Sequence, residues 1–442
     1  MLDLKLIREH PDLVREGVRR KQGDPALVDR VLAADARRRS LLAEVERLRA
    51  EHRRASAEVT RLAGEERERR IADLRRMADR LRSLEPDLKA AEDELRLALL
   101  ALPNLPHESV PPGRDASDNV VVRSWGEPTR FDFTPQDHVA LGTRLGILDL
   151  DRGSKVAGSR FYYLRGAGVL LEQALMRLGL DLLLEEGFEP VITPFLIRPD
   201  ILLGAYGGAE LDTQQIYRIE GENLVLIGTS EQSVAGMYAE ETLDEGALPL
   251  RVAGVSWCFR REAGSYGRDV RGMYRVHQFD KLEMFSFTTP ERSWDEHEYL
   301  VSLEERFLQR LGLPYRVVAL CAGDTGAPSA KTYDVETWMP GRGGYGETHS
   351  CSNCTDFQAR RLSIRVRRRG GGTVYAHTLN GTLVATSRAL IAVLENYQQR
   401  DGTVRVPDAL VPYMNGIQVI EPPAHSSRST RSAHSPRSTP SE

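Results

Sequence analysis

Two runs of heptad spacing near the start of the chain constrain its fold more than any other feature. Over residues 27 to 63, Leu41, Val45, Leu48, His52, Ala55, Val59 and Leu62 recur at alternating steps of four and three. Over residues 71 to 100, Leu74, Met77, Leu81, Leu84, Leu88, Ala91 and Leu95 do the same. An apolar seam of this period needs a partner helix to bury it. Gly64 and the charged segment Glu65 to Arg70 lie between the runs, where the chain can reverse. The spacing predicts two antiparallel helices, a coiled-coil hairpin on the order of 50 Å long at about 1.5 Å per residue. Pro86, inside the second run, should bend that helix or remove one hydrogen bond. His52 reads as a polar register-setting residue in the seam. Arginines cluster along the arm, from Arg37, Arg38 and Arg39 through Arg53, Arg54 and Arg61 to Arg69, Arg70, Arg75 and Arg76. Acidic residues nearly balance them, as on a solvated coiled-coil face.

With 442 residues the chain can form two or three domains. Its net charge of −4 excludes a globally basic nucleic-acid binder, so any RNA contact must come from a local patch. Four cysteines are too few for a disulfide scaffold and suit a reducing compartment. The charged N-terminus is not a signal peptide, and no window approaches a membrane span. The expectation is a cytoplasmic protein with no membrane association. The arm belongs to an N-terminal domain over residues 1 to 102. Residues 103 to 118, rich in Pro and polar side chains, read as a linker. Mixed helix and strand patterning fills residues 119 to 421. Residues 422 to 442 carry almost nothing apolar and are expected to be disordered.

The chemistry concentrates between residues 256 and 288. An apolar run, Val252 to Phe259, ends in Arg260 and Glu262. A basic, Gly-rich loop follows from Gly264 to Gly272, and a second β-prone run begins near Tyr274. This predicts two antiparallel strands joined by a long loop. Side chains alternate along a strand, so His277, Phe279, Lys281 and Glu283 should share one face. At about 3.3 Å per residue, Phe279 and Glu283 are roughly 13 Å apart. A ring for stacking and a carboxylate for a small polar group could hold two ends of one extended ligand. The arginines suit phosphate or carboxylate.

Other blocks carry further candidates. Gly228-Thr229-Ser230-Glu231 looks like a helix cap, and Gly166 to Glu186 like an amphipathic helix stopped by Gly187. A strand-like FEPVITPFLI with two prolines follows it, suited to a sheet edge. Gly-Arg-Gly-Gly-Tyr-Gly at 341 to 346 matches G-x-G-x-x-G only formally, because no amphipathic helix follows. There is no P-loop either. A single CxxC, Cys351 to Cys354, lacks the second pair of a structural zinc site. Arg388 falls in the first turn of a helix, a place that favours phosphate.

The run FRREAGSYGRDVRGMYRVHQFDKLEMF resembles the second signature motif of class II aminoacyl-tRNA synthetases, in detail that of the seryl-tRNA synthetases. The Gly187 and Pro segment is similar to motif 1, and the block from His377 to Arg388 to motif 3. The resemblance implies an α+β fold: an antiparallel-sheet class II catalytic domain preceded by the coiled-coil arm, in a homodimer. It implies ATP-dependent charging of tRNA(Ser), and with it tRNA(Sec), with L-serine through a seryl-adenylate. The arm would hold the tRNA, and 103 to 118 would be the hinge.

Carried over residue by residue, Arg260 and Arg388 become catalytic. Thr229, Ser230, Glu231, Arg260, Glu283 and Thr382 become serine-binding, with Glu283 accepting the serine hydroxyl. ATP falls to Arg260, Arg261, Glu262, Val276, His277, Gln278, Phe279, Glu347, Thr348, His349, Ser350 and Arg388, with Phe279 under adenine. Glu347 and Ser350 would hold Mg²⁺ between the ATP phosphates. Ser230, His349 and the 204 to 215 loop depart from the common bacterial pattern. These departures motivate a second reading, a paralogue giving serine to a different acceptor or conferring inhibitor resistance. A third reading is a non-catalytic tRNA-binding regulator, against which the intact Arg260, Glu262, Glu283, Glu347 and Arg388 argue.

Overall fold

The computed structural model describes residues 1–212, 214–263 and 272–423. Most of the basic loop expected from Gly264 to Gly272, and the tail expected from residue 422, lie outside the described residues.

The chain opens with two short helices, α1 (Leu4–Glu9) and α2 (Pro11–Arg20). The arm follows as α3 (Ala26–Val59) and α4 (Gly64–Ala101). Val45, Leu48, Ala55, Leu84, Ala91 and Leu95 of the expected seam are buried between them, and His52 is half-buried among these. The reversal is tighter than the sequence suggested. Gly64, at φ +58°, starts α4 directly, and the segment Glu65 to Arg70 is its first turns. Glu65 and Glu66 there suit the positive end of the helix dipole. Helix α4 continues through Pro86, which sits on the solvent side. At the base, Ile7, Val14, Val18, Val31, Leu95 and Leu99 form a small core that also takes in Phe357 from the later part of the chain. Within it the buried Asp35 accepts from Arg8 Nε at 2.7 Å and pairs with Arg39 at 3.1 Å.

The rest of the chain is built around one eight-stranded sheet. In chain order its strands are β1 (Val120–Trp125), β2 (Glu189–Ile192), β3 (Leu250–Phe259), β4 (Gln278–Thr288), β5 (Tyr315–Ala319), β6 (Lys331–Met339), β7 (Gly344–Thr355) and β8 (His377–Ala385). Their spatial order is β1-β5-β6-β7-β8-β4-β3-β2. Every neighbouring pair is antiparallel except β2 with β3. Pro190 lies in the edge strand β2, where its missing N–H breaks no inner ladder.

The two faces of β4 go to different uses. Leu282 and Met284 point into the main core, with helices α5 (Ala167–Glu185), α7 (Ser293–Arg310) and α9 (Thr386–Asn396) packed there. Gly179 of α5 permits this approach: a Cβ there would meet Val384 Cγ2 at 2.7 Å and Leu282 Cδ2 at 3.1 Å. The opposite face carries Phe285 and Phe287 into a second core with Val234 of α6 (Ser230–Met237) and Leu362 of α8 (Phe357–Leu362). Towards the start of β4, that same face is left open, and the cavity described next lies there.

Candidate active site

The open end of β4 places Phe279, Lys281 and Glu283 on one face, as strand alternation requires. His277 does not join them. It precedes the strand, so the alternation does not reach it, and its Nδ1 sits 2.9 Å from Arg260 O with the ring packed on Phe161. The open face floors a cavity of about 230 Å³. Strand β3 leads into Arg260 and Glu262 at its rim, β8 brings Asn380 and Thr382, and β7 brings Glu347 to Ser350. Thr229 and Glu231 enter from the start of α6, and Arg388 from the first turn of α9. The sequence candidates Val276, Thr348 and His349 also line it.

Four candidates do not line this cavity. Ser230 is fully buried and donates from Oγ to Gly254 O at 3.2 Å, anchoring α6 to β3. Arg261 donates its backbone N–H to Gln215 O at 3.0 Å. Gln278 pairs with Phe259 in the sheet, and His277 packs as described. Conversely, Tyr274, Arg275, Lys281, Asn380 and Ser387 line the cavity without having been singled out as site residues. Lys281 was legible by alternation. Asn380 and Ser387 become legible only once β8 is registered against β4.

At one end of the cavity, Lys281 pairs with Glu283, both nearly inaccessible. Thr382 Oγ1 donates to Glu283 Oε2 at 3.3 Å, and Lys281 Nζ lies 3.4 Å from Thr382 Oγ1. Beside this triad, Glu231 Oε1 accepts from Gln358 Nε2 at 2.7 Å and Asn380 Nδ2 at 3.1 Å. Burial first, then the nearby Glu283 carboxylate, push the Glu231 carboxyl up to about 7.

At the other end the charges are reversed. Arg388 Nη1 is 2.8 Å from Glu347 Oε1 and 3.1 Å from Glu347 O, and its guanidinium lies 4.7 Å from the Tyr274 ring centre. Burial would raise the Glu347 carboxyl, but Arg388 outweighs it and holds the group below its ordinary range. Arg260 lies between the two ends. Its guanidinium is 5.5 Å from the Phe279 ring centre, and its Nε donates to Gly228 O at 3.2 Å. Glu262 adopts φ +48° at the strand end and pairs with Arg275 at 3.3 Å. His349 is buried beneath the cavity against Phe307, its Nδ1 2.8 Å from Thr348 Oγ1, and burial pushes it down to about 3. It is a neutral ring at neutral pH.

The site is therefore a slot with carboxylates and an ammonium at one end, guanidinia along its length, and an aromatic ring between. Such a slot fits a ligand with a cationic head, an anionic middle and a planar base.

A family model for the tRNA synthetase class II core domain (G, H, P, S and T) matches residues 215–397. One for the seryl-tRNA synthetase N-terminal domain matches residues 1–106. Serine–tRNA ligases from Dictyoglomus turgidum and Mycobacterium tuberculosis are 48% and 47% identical over 424 residues, covering 96% of this chain and all of each relative. The chain belongs to the seryl-tRNA synthetase family. Among solved structures, the seryl-tRNA synthetase of Pyrococcus horikoshii complexed with ATP superposes with a TM-score of 0.90 at 42% identity. It covers 96% of this chain and 100% of that one. The cytoplasmic enzyme of Naegleria fowleri in complex with AMP gives 0.85 at 34%, covering 96% and 99%. A Giardia lamblia prolyl-tRNA synthetase, 15% identical with a TM-score of 0.52, shares the fold alone. The expected α+β class II architecture with its helical arm is thus the observed one.

The position of Ser230 generates a prediction. Its hydroxyl serves the contact between α6 and β3, away from the cavity. Ser230→Ala should lower stability by about 1 kcal/mol, one buried hydrogen bond, and leave ATP and serine affinities unchanged. Calorimetric melting and titration calorimetry check the two halves.

Proposed function

We propose that this chain charges tRNA(Ser) with L-serine through a seryl-adenylate, with serine held at the Glu231–Glu283 end and ATP along the arginines. The observation that carries this reading is the slot itself, with its two differently charged ends on one strand face. Glu231, with Asn380 beside it, suits the α-ammonium. Glu283 and Thr382 suit the hydroxyl, and Arg260 suits the serine carboxylate and the α-phosphate together. Phe279 offers a stacking face to adenine and Glu262 a polar partner. Arg388 suits the terminal phosphates.

The serine carboxylate oxygen attacks the α-phosphorus and pyrophosphate leaves. Arg260 spreads the charge that develops there, and Arg388 that on the leaving group. The tRNA's terminal ribose hydroxyl then attacks the seryl carbonyl, and AMP leaves. No side chain need become covalently attached, so positioning and electrostatics carry the rate.

Mg²⁺ fits beside Glu347 and Ser350. Their donors are hard oxygens, and the neighbouring Asp334, across the ladder from Ser350, has a buried Oδ1 with no partner among the described residues. Bound there with the ATP phosphates, Mg²⁺ would supply charge neutralisation.

The arm is the proposed tRNA grip. Arg37, Arg38, Arg39, Arg69, Arg70 and Arg76 are tied up in ion pairs, the first two across the hairpin to Glu94 and Glu92. Arg53, Arg54, Arg61 and Arg75 are exposed and form no ion pair among the described residues. Cations free of partners are the ones available to phosphates.

A homodimer is proposed through the β2 edge. Ile192 is 79% exposed and Trp257 39%, beside the half-exposed Leu196. An apolar sheet edge of this kind calls for a partner. No helix among the described residues is long and apolar enough to cross a membrane, and cytoplasmic residence is part of this proposal.

Charging of total tRNA with labelled serine tests the function directly, and transfer to another acceptor alone would favour the paralogue. Within that assay Glu283→Ala reads the specificity. A hydrogen bond to a charged group is worth about 1.5–3 kcal/mol, so serine kcat/KM in pyrophosphate exchange should fall roughly 10- to 150-fold. Alanine has no hydroxyl to lose, so the serine-to-alanine preference should narrow while ATP affinity holds. An unchanged preference would leave Glu283 as only the partner of Lys281.

Acidity should act through Glu231. An ammonium ligand favours its ionised form, so serine must expel a proton from any Glu231 that carries one. With that carboxyl at about 7, the apparent serine KM should rise roughly tenfold from pH 8 to pH 6. Glu231→Gln should flatten this dependence.

Arg54→Glu and Arg61→Glu should raise the KM for tRNA. Each should lower the slope of log affinity against log salt by about 1. Pyrophosphate exchange should not respond, and an equal fall in both activities would count against a phosphate grip.

A further inference from the structure

A second cavity, of about 680 Å³, adjoins the slot on the side of Thr229 and Arg260. It shares Thr229, Glu231, Arg260, Glu262, Arg275 and Asn380 with the first. Its outer wall is the loop Gly326, Ala327, Pro328 and Ser329, between β5 and β6. The first three of these residues have no polar side chain, so only their backbone can set the position of the wall.

Five successive carbonyls of this loop accept hydrogen bonds from the N-terminal part of the chain. Lys21 Nζ donates to Gly326 O at 2.7 Å and also to Ser329 O. The Asn104 backbone N–H donates to Ala327 O at 2.8 Å, and its Nδ2 to Pro328 O at 2.9 Å. The His107 N–H donates to Ala330 O at 2.9 Å. The same Asn104 Nδ2 reaches Cys354 O at 2.9 Å and Thr355 Oγ1 at 3.1 Å. Lys21 follows the last residue of α2, and Asn104 and His107 lie in the segment expected as a hinge. That hinge is thus strapped to the catalytic domain at the cavity wall. None of the three donors lies in the class II core match, residues 215–397.

We infer that Lys21 and Asn104 are positioning residues for the second step, holding the wall of the chamber that receives the acceptor's terminal nucleoside. This rests on the function proposed above. The nucleophile that takes the seryl group must approach its carbonyl beside Thr229 and Arg260, and the second cavity adjoins those residues. A nucleoside entering it meets the 326 to 329 wall. Serine and ATP occupy the first cavity, which that loop does not line. The domain that carries the arm therefore also sets the shape of the acceptor chamber. The ligand would be a ribonucleoside at the end of an RNA chain, received against a wall of small side chains, apolar except for Ser329.

The test is the full-length Lys21→Met variant, whose side chain keeps most of the stem but cannot donate. Serine-dependent pyrophosphate exchange should match wild type. Single-turnover transfer from preformed seryl-adenylate to tRNA should fall roughly ten- to a hundredfold, because misplacement by about 1 Å is enough for such a loss. The tRNA dissociation constant, set by the arm, should not change. Lys21→Arg, which can still reach the carbonyls, should recover transfer. If Lys21→Met does not fold, Asn104→Ala takes its place with the same expected split. Transfer at the wild-type rate, or equal losses in exchange and transfer, would overturn the inference. Absence of serine-dependent exchange in the wild type would instead sink the underlying reading.

Discussion

The ladder between β3 and β4 is the constraint on which the site depends. Its register runs unbroken from Leu250↔Phe287 to Phe259↔Gln278. A slip of one residue would exchange the faces of β4. Phe279, Lys281 and Glu283 would then enter the main core, and Leu282 and Met284 would face the slot. The apolar set thus fixes the polar one. Leu282, Met284, Phe285 and Phe287 are all fully buried, on both sides of the strand, so the core itself enforces the register that aims the site.

The charges at the site come in satisfied groups rather than singly. Glu283 is paired with Lys281 and bonded by Thr382, while Glu347 is held by Arg388. An unpaired charge in such surroundings would neutralise itself or cost several kcal/mol. Glu231 is the informative exception. Its partners Gln358 and Asn380 are neutral amides, and it is the carboxyl that burial and Glu283 push up to about 7. A neutral cage leaves room for a cationic ligand to complete the pairing.

How much of this was legible depended on whether the determinant was local. Heptad spacing located the seam residue by residue, because helix periodicity needs no tertiary knowledge. It misplaced the reversal, since Glu65 to Arg70 is charged and loop-like in composition yet suits the N-terminal turns of α4. Alternation grouped Phe279, Lys281 and Glu283 correctly and included His277 wrongly, because the strand begins one residue later. Family likeness brought thirteen candidates to the slot, but it could not say that the Ser230 hydroxyl turns to Gly254 O. The Pro-rich segment 103 to 118 reads as a spacer by composition. Its bonds to carbonyls more than two hundred residues away leave no trace in local pattern.

Under the proposed serine assignment, Lys281 decides how the hydroxyl would be recognised at Glu283. A free carboxylate at Glu283 would attract any cation, including a misplaced ammonium. With Lys281 paired to it, the local charge is near balance, and what remains is directional hydrogen-bonding capacity shared with Thr382. A hydroxyl can join such a group as donor to Glu283 and acceptor from Lys281, whose ammonium has three hydrogens to give. A methyl group can do neither and leaves the polar atoms short of a partner. In that assignment the ammonium goes to Glu231, whose hydrogen-bond partners Gln358 and Asn380 are neutral amides. In the proposed assignment, two carboxylates close in space take different ends of one small amino acid because Lys281 is paired directly with Glu283 and not with Glu231.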